Sequence, residues 1–139
     1  MPTTRASREL LASPEDVWRY LSEPYHLSDW WPRIATVEAD RRGFAAGARW
    51  TVRASEPTYF RRAASEDTLL VHEVRPMSVF AFELVKAKLK AELTLEQTGP
   101  ALTRAELSVS GPFLLGFSKS LPKEALDRLH DLCQTGVEI

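Results

Sequence analysis

Hydrophobic and polar residues alternate with a period of two through much of this chain and switch to a helical period near each end. The clearest alternation is Leu89, Ala91, Leu93 and Leu95 against Lys88, Lys90, Glu92, Thr94 and Glu96, which predicts a half-buried antiparallel strand with one wet face. Thr98-Gly99-Pro100 supplies a hairpin turn. Leu102 to Ser110 returns, with Ala105, Leu107 and Val109 inward. Val79 to Val85 reads as a strand with Phe80, Phe82 and Leu84 on one side. Before it, Leu70, His72 and Val74 alternate with Leu69, Val71 and Glu73, and Arg75-Pro76 turns the chain. Gly47 opens a strand over Ala48 to Ala54, with Trp50 and Val52 on one face and Arg49, Thr51 and Arg53 on the other. From 48 to 74 the alternation does not say which face points inward. Ile34 to Ala39 is a further strand, carried by Ile34 and Val37 and closed by the turn Arg41-Arg42-Gly43. Ser55 to Asp67, broken by Pro57, reads as a short irregular strand or a loop. Thr3 to Leu11 fits a first strand, and Arg8, Glu9 and the neighbouring alanines fit a helix equally well.

The helical stretches are of two kinds. ASPEDVWRYLSEPYHLSDWWP, residues 12–32, starts as a capped helix: Ser13 accepts from the first free N–H groups, and Pro14 has no N–H to lose. Glu15 and Asp16 place negative charge at the positive end of the helix dipole. Val17, Trp18 and Leu21 share a face, and Pro24 is expected to stop the helix. A short helical turn over Tyr25 to Trp30 then delivers Trp30 and Trp31 ahead of Pro32. After Gly111-Pro112 the helical period returns. Phe113, Leu114, Phe117 and Leu121 form one face, continued by Leu126, Leu129, Leu132 and Cys133, with Gly136 as an end. Pro122 either kinks one long helix or separates two, with Ser120 as a cap for the second.

The order is strand, two short helices, about six antiparallel strands and a C-terminal helix. A curved sheet with one wet face needs the other covered, and only the C-terminal helix is long enough. The pattern therefore predicts an α+β helix-grip fold: about seven strands wrapped around that helix, the helix pair closing one end, in one domain over residues 1–139. A sheet gripping a helix leaves a space, and such spaces become ligand pockets.

Composition narrows this picture. Net charge is −1, which argues against nucleic-acid binding by bulk electrostatics. A single cysteine permits no internal disulfide, and no signal-length or membrane-span-length apolar run appears, so a cytoplasmic protein is expected. The three histidines, His26, His72 and His130, lack metal-ligand spacing, and no phosphate loop, nucleophile elbow or paired cysteines occur, so neither metal nor cofactor is expected. Cys133 reads as inert packing, and His26 and His130 as surface residues on helices. His72 is the weak catalytic candidate: on an inward face it would be a lone polar group in an apolar cavity, on an outward face a histidine bonded to a neighbour. Trp30, Trp31 and Trp50 are candidates for a pocket mouth, and Phe80, Phe82, Leu93, Phe113, Leu114, Phe117 and Leu121 for its wall; plain core packing is the competing reading for all. Arg8, Arg49 and Arg53 fit solvated strand faces better than an anchor for a ligand's acidic end.

Ala12-Ser13-Pro14, Val17-Trp18 and Trp31-Pro32, followed by a strand opening at Gly47, the Val74-Arg75-Pro76 turn and a C-terminal amphipathic helix, resemble the START/Bet v 1-like superfamily. Within it the chain looks like the polyketide cyclase/dehydrase and lipid-transport group. The resemblance implies a helix-grip fold and a cavity for a hydrophobic or amphipathic small molecule or lipid. The matching residues cap and pack helices, so they imply nothing about activity. Three functions are therefore open: a binder or carrier of such a ligand, a cyclase or dehydratase, and a protein-interaction module with a vestigial cavity. The lack of a catalytic constellation places the binder first. Pro122 and Gly116 are expected to let the last helix bend and admit ligand.

Overall fold

The computed structural model describes residues 3–54, 66–111 and 120–137, with side chains of the last segment through Cys133. Seven strands form one antiparallel sheet: β1 (Thr3–Leu10), β2 (Ile34–Glu38), β3 (Arg49–Ala54), β4 (Glu66–Arg75), β5 (Val79–Leu84), β6 (Leu89–Gly99) and β7 (Leu102–Ser110). Their spatial order is β1-β7-β6-β5-β4-β3-β2. β2 to β7 thus form a meander, and β1 closes on its far side, where Thr3 pairs with Ser110 and Leu10 with Thr103. That pairing decides the ambiguous first segment, because its small and charged residues alternate in exposure only as a strand.

The alternation of β5, β6 and β7 is realised as expected. Phe80, Phe82, Leu84, Leu89, Ala91, Leu93, Leu95, Ala105, Leu107 and Val109 are all buried. On β4 the register shifts between Val71, which pairs with Phe82, and Glu73, which pairs with Ala81. His72 is the extra residue of this bulge. Leu69 and Val71 are buried before it, and Val74, opposite Phe80, packs against the core after it. One inserted residue has moved the inward set from odd to even positions, which is why the sequence alternation there is blurred.

After β1, the helix α1 (Pro14–Leu21) begins at Ser13, whose hydroxyl accepts the Asp16 N–H at 3.2 Å. It buries Pro14, Val17 and Leu21. Its end is set at Ser22 and not by Pro24: the Ser22 N–H and hydroxyl both donate to the Trp18 carbonyl, at 2.8 and 2.6 Å. Pro24 instead opens a 3₁₀ turn (Pro24–His26), and the four-residue α2 (Leu27–Trp30) follows.

The last helix, α3 (Leu121–Val137), starts where the Glu124 N–H bonds the Ser120 carbonyl at 2.9 Å. Pro122 sits in its first turn, where an N–H has no intrahelical acceptor, so it neither kinks this helix nor interrupts it. The expected helical face over Phe113, Leu114 and Phe117, with Gly116, lies outside the described residues. Leu121, Ala125, Leu126, Leu129 and Cys133 are buried as α3 packs on β1, β7 and α2. The Asp127 carboxylate pairs with Arg8 of β1 and with Lys123 one turn earlier, tying helix to edge strand. Among the described residues, no helix is long and apolar enough to cross a membrane.

Candidate ligand-binding interior

The inner face of the sheet meets the helices through a connected set of aromatic rings. Trp31 follows α2 in extended conformation, which turns its indole onto the sheet, edge-to-face with Phe82 at 5.1 Å between ring centroids. Trp30 stands edge-on to Trp31 at 5.7 Å. Phe82 lies 5.0 Å from Phe80, and Phe80 lies 6.0 Å from Trp50. Phe44, in the β2–β3 connection, joins Phe80 at 4.7 Å, Trp50 at 6.3 Å and Trp18 of α1 at 5.4 Å. The chain of contacts therefore runs from α2, across three strands, to α1. Such offset and edge-to-face pairs each contribute about 0.5–1.5 kcal/mol beyond the area they bury.

Phe44 was not a candidate from sequence. It sits in a connection without hydrophobic period, and what holds it there is local chemistry. The Asp40 carboxylate accepts backbone N–H groups from Arg42, Gly43 and Arg49 at 2.9 to 3.3 Å. The Trp50 indole N–H donates to the Gly43 carbonyl at 2.7 Å, and Gly43 takes φ +61°, a left-handed conformation that suits glycine. The signal in the sequence was an aspartate two and three residues before Arg42 and Gly43, an Asx turn.

The expected wall is thus brought together in part. Trp30, Trp31, Trp50, Phe80, Phe82 and Leu93 are each 0–1% or 2% exposed, and Leu121 is buried on α3. Trp30, Trp31 and Trp50 are therefore interior residues and not a rim. Phe113, Leu114 and Phe117 lie outside the described residues. His72 is not brought to this face. Its imidazole lies on the outer side of the bulge, half exposed, with Nε2 2.9 Å from the Glu83 carboxylate. Of the weighed arginines, Arg53 bridges Glu38 and Glu66 on the outer face and Arg8 holds Asp127. His26 and His130 are half-buried and not simple surface residues.

Chemically, this interior is apolar. Among the described residues, the one fully buried polar side chain is Thr103, and its hydroxyl donates to the Ala12 carbonyl at 2.7 Å. Cys133 is the one buried ionisable group named among them, its thiol pushed up to about 11 first by burial and then by the Asp16 charge. No group of three or more histidine, cysteine or carboxylate side chains among the described residues is placed to hold a metal.

Solved structures share this fold over nearly the whole chain. The protein XoxI from Bacillus cereus superposes with a TM-score of 0.73 at 15% identity, covering 96% of each chain. The Aha1 dimer from Colwellia psychrerythraea gives 0.72 at 16% identity, covering 98% of each. Protein MLL2253 from Mesorhizobium loti gives 0.71 at 20% identity, covering 96% of this chain and 98% of that one. At such identities the likeness is one of fold, an α+β helix-grip. A comparison with curated proteins finds no match. A family model matches residues 1–134, and with it the chain belongs to the polyketide cyclase/dehydrase and lipid transport family.

Proposed function

We propose that this protein binds, and carries, a hydrophobic or amphipathic small molecule or lipid between the inner face of the sheet and α3. The observation that carries this reading is the aromatic wall of Trp31, Trp50, Phe80 and Phe82, joined edge to face and free of buried charge. A wall of this kind offers apolar area and dispersion to a ligand and no proton to exchange. Membership in a family described by polyketide chemistry and lipid transport supports the same class of ligand.

A cyclase or dehydratase needs two or more polar side chains converging on the substrate. Among the described residues the inner face offers Thr103, whose proton is already engaged, and Arg8, which is paired with Asp127 of α3, so the enzyme reading ranks second. An interaction module would expose a contiguous apolar patch. Among the described residues the large exposed apolar ones, Leu11, Tyr25, Met77 and Val85, come from four separate connections, so that reading ranks third.

Native mass spectrometry of freshly purified protein, with organic extraction of anything it carries, is the test. A bound lipid or aromatic of defined mass is expected. If the protein is free of ligand, saturated fatty acids and polycyclic aromatics titrated against the four tryptophans should give a saturable fluorescence change. A clean mass together with a flat titration would overturn the proposal.

A further inference from the structure

A cavity of about 420 Å³ lies apart from the aromatic wall, between α1, the 3₁₀ turn and α3. Its size falls within the usual range for small-molecule sites. Ala12, Leu132 and Cys133 give it an apolar floor. Asp16, Arg19, Tyr20 and His26 give it a polar side, and the direction of their hydrogen bonds identifies what that side can accept.

The Tyr20 hydroxyl donates to the Asp29 carboxylate at 3.0 Å, so its oxygen has only lone pairs left to offer. His26 Nδ1 lies 2.7 Å from the Tyr20 carbonyl, which can only accept. Nδ1 therefore carries a proton and donates it to that carbonyl. Asp16 accepts one bond, from Arg19 at 3.2 Å through Oδ1. Arg19 is the one strong donor of the set, 79% exposed at its side chain and held by that single exposed pair. The imidazole and phenol rings stack at 4.1 Å and 13° beside the cavity. The surrounding hairpin, residues 14–31, carries Glu15, Asp16, Glu23 and Asp29 against Arg19 alone. Burial and the Asp29 hydrogen bond push the Tyr20 hydroxyl up, and burial and Asp16 push the Cys133 thiol up to about 11, so both stay protonated near neutral pH.

We infer that this cavity is a site for an amphipathic organic amine, its ammonium directed to Asp16 and the Tyr20 oxygen and its apolar part on Leu132 and Cys133. An ammonium supplies the donors that these acceptors lack and gains from the adjacent ring faces. A carboxylate ligand would meet the same lone pairs and the two aspartates as repulsion. The inference is independent of the ligand proposed for the sheet interior.

Phenethylamine, 2-phenylethanol and phenylpropionate, matched in ring and differing in head group, are titrated into the ¹⁵N-labelled full chain. Saturable amide shifts are expected in α1, the 3₁₀ turn and α3 for the amine, with affinity about tenfold weaker for the alcohol, the scale of one charge-assisted hydrogen bond. Asp16→Asn should weaken the amine about tenfold and leave the fold intact, because the Ser13 cap binds the residue's own N–H. Arg19→Ala should tighten it about threefold by removing the competing guanidinium, a change on an exposed side chain that folding does not depend on. Equal or tighter binding of phenylpropionate, weaker amine binding in Arg19→Ala, amine shifts confined to the sheet interior, or no saturable shift at millimolar amine would each overturn the inference.

Discussion

Thr103 shows how much one hydroxyl can matter in an otherwise apolar interior. It is fully buried on β7, and its hydroxyl satisfies the carbonyl of Ala12, where the chain leaves β1 for α1. Thr103→Val keeps the shape and removes the donor, leaving a buried carbonyl unpaired. Urea unfolding should show a loss of about 1–3 kcal/mol, and Thr103→Ser should recover most of it. Asp40 acts through charge. Backbone N–H groups of Arg49, Arg42 and Gly43 hold its carboxyl below the usual aspartate value, Arg49 first. A folded-state pKa below the unfolded one gives stability that is complete above the unfolded value and is lost as pH falls through the folded one. Stability should therefore decline as pH is lowered past the ordinary aspartate range. In Asp40→Ala that part of the decline should be absent from pH-dependent melting, and the Phe44 connection should loosen. Neither role is readable from residue type alone, since each depends on a partner brought close by the fold.

At the scale of elements, strands and helices differ in how far their sequence revealed them. β5, β6 and β7 were legible because strict alternation leaves one assignment of faces. α1 was legible from its Ser-Pro-Glu-Asp start, and Leu121 through Cys133 from helical spacing. β4 was not, because the bulge at His72 reverses the alternation halfway along, and a period-two reading placed Leu70, His72 and Val74 together. The bulge makes an unusual prediction. Deleting one residue from a regular strand turns every later side chain to the wrong face. Deleting His72 removes the extra residue, so Glu73 stays outward opposite Ala81 and Val74 inward opposite Phe80. The His72 deletion should keep a cooperative melt and native-like circular dichroism, whereas deleting Thr94 from the regular β6 should abolish both. Pro24 was misplaced for a related reason: proline marks a helix boundary without saying which side of it the helix lies on, and the bonds of Ser22 decide that. At Pro122 the helix starts from Ser120, as in the reading of that proline as a separator.

For the molecule as a whole, the helix-grip arrangement followed from counting layers: a sheet wet on one face, and one helix long enough to cover the other. The apolar wall followed with it for Trp31, Phe80 and Phe82, whose inward direction is fixed by strand parity or by the turn after α2, whereas Trp50 lies in the stretch whose inward face the alternation leaves open. Phe44 and Trp18 complete that wall; Trp18 is announced by the helical face it shares with Val17 and Leu21, whereas no period announces Phe44, which comes from a connection. The acceptor-rich cavity was illegible for a stronger reason. Tyr20 becomes an acceptor only after its proton is committed to Asp29, a partner nine residues away.

The order of strands also sets an order of events in time. β2 to β7 can pair as each leaves the ribosome, every strand meeting the one made just before it. β1 is made first and has its partner in β7, so it waits while about a hundred residues are added, some 5–20 s at ordinary elongation rates. During that interval its edge, and the Arg8 that will hold α3, stand unpaired in the nascent chain. The first strand of the sheet to be synthesised is the last strand to pair, and closing the sheet at β1 also creates the seat on which α3 completes the fold.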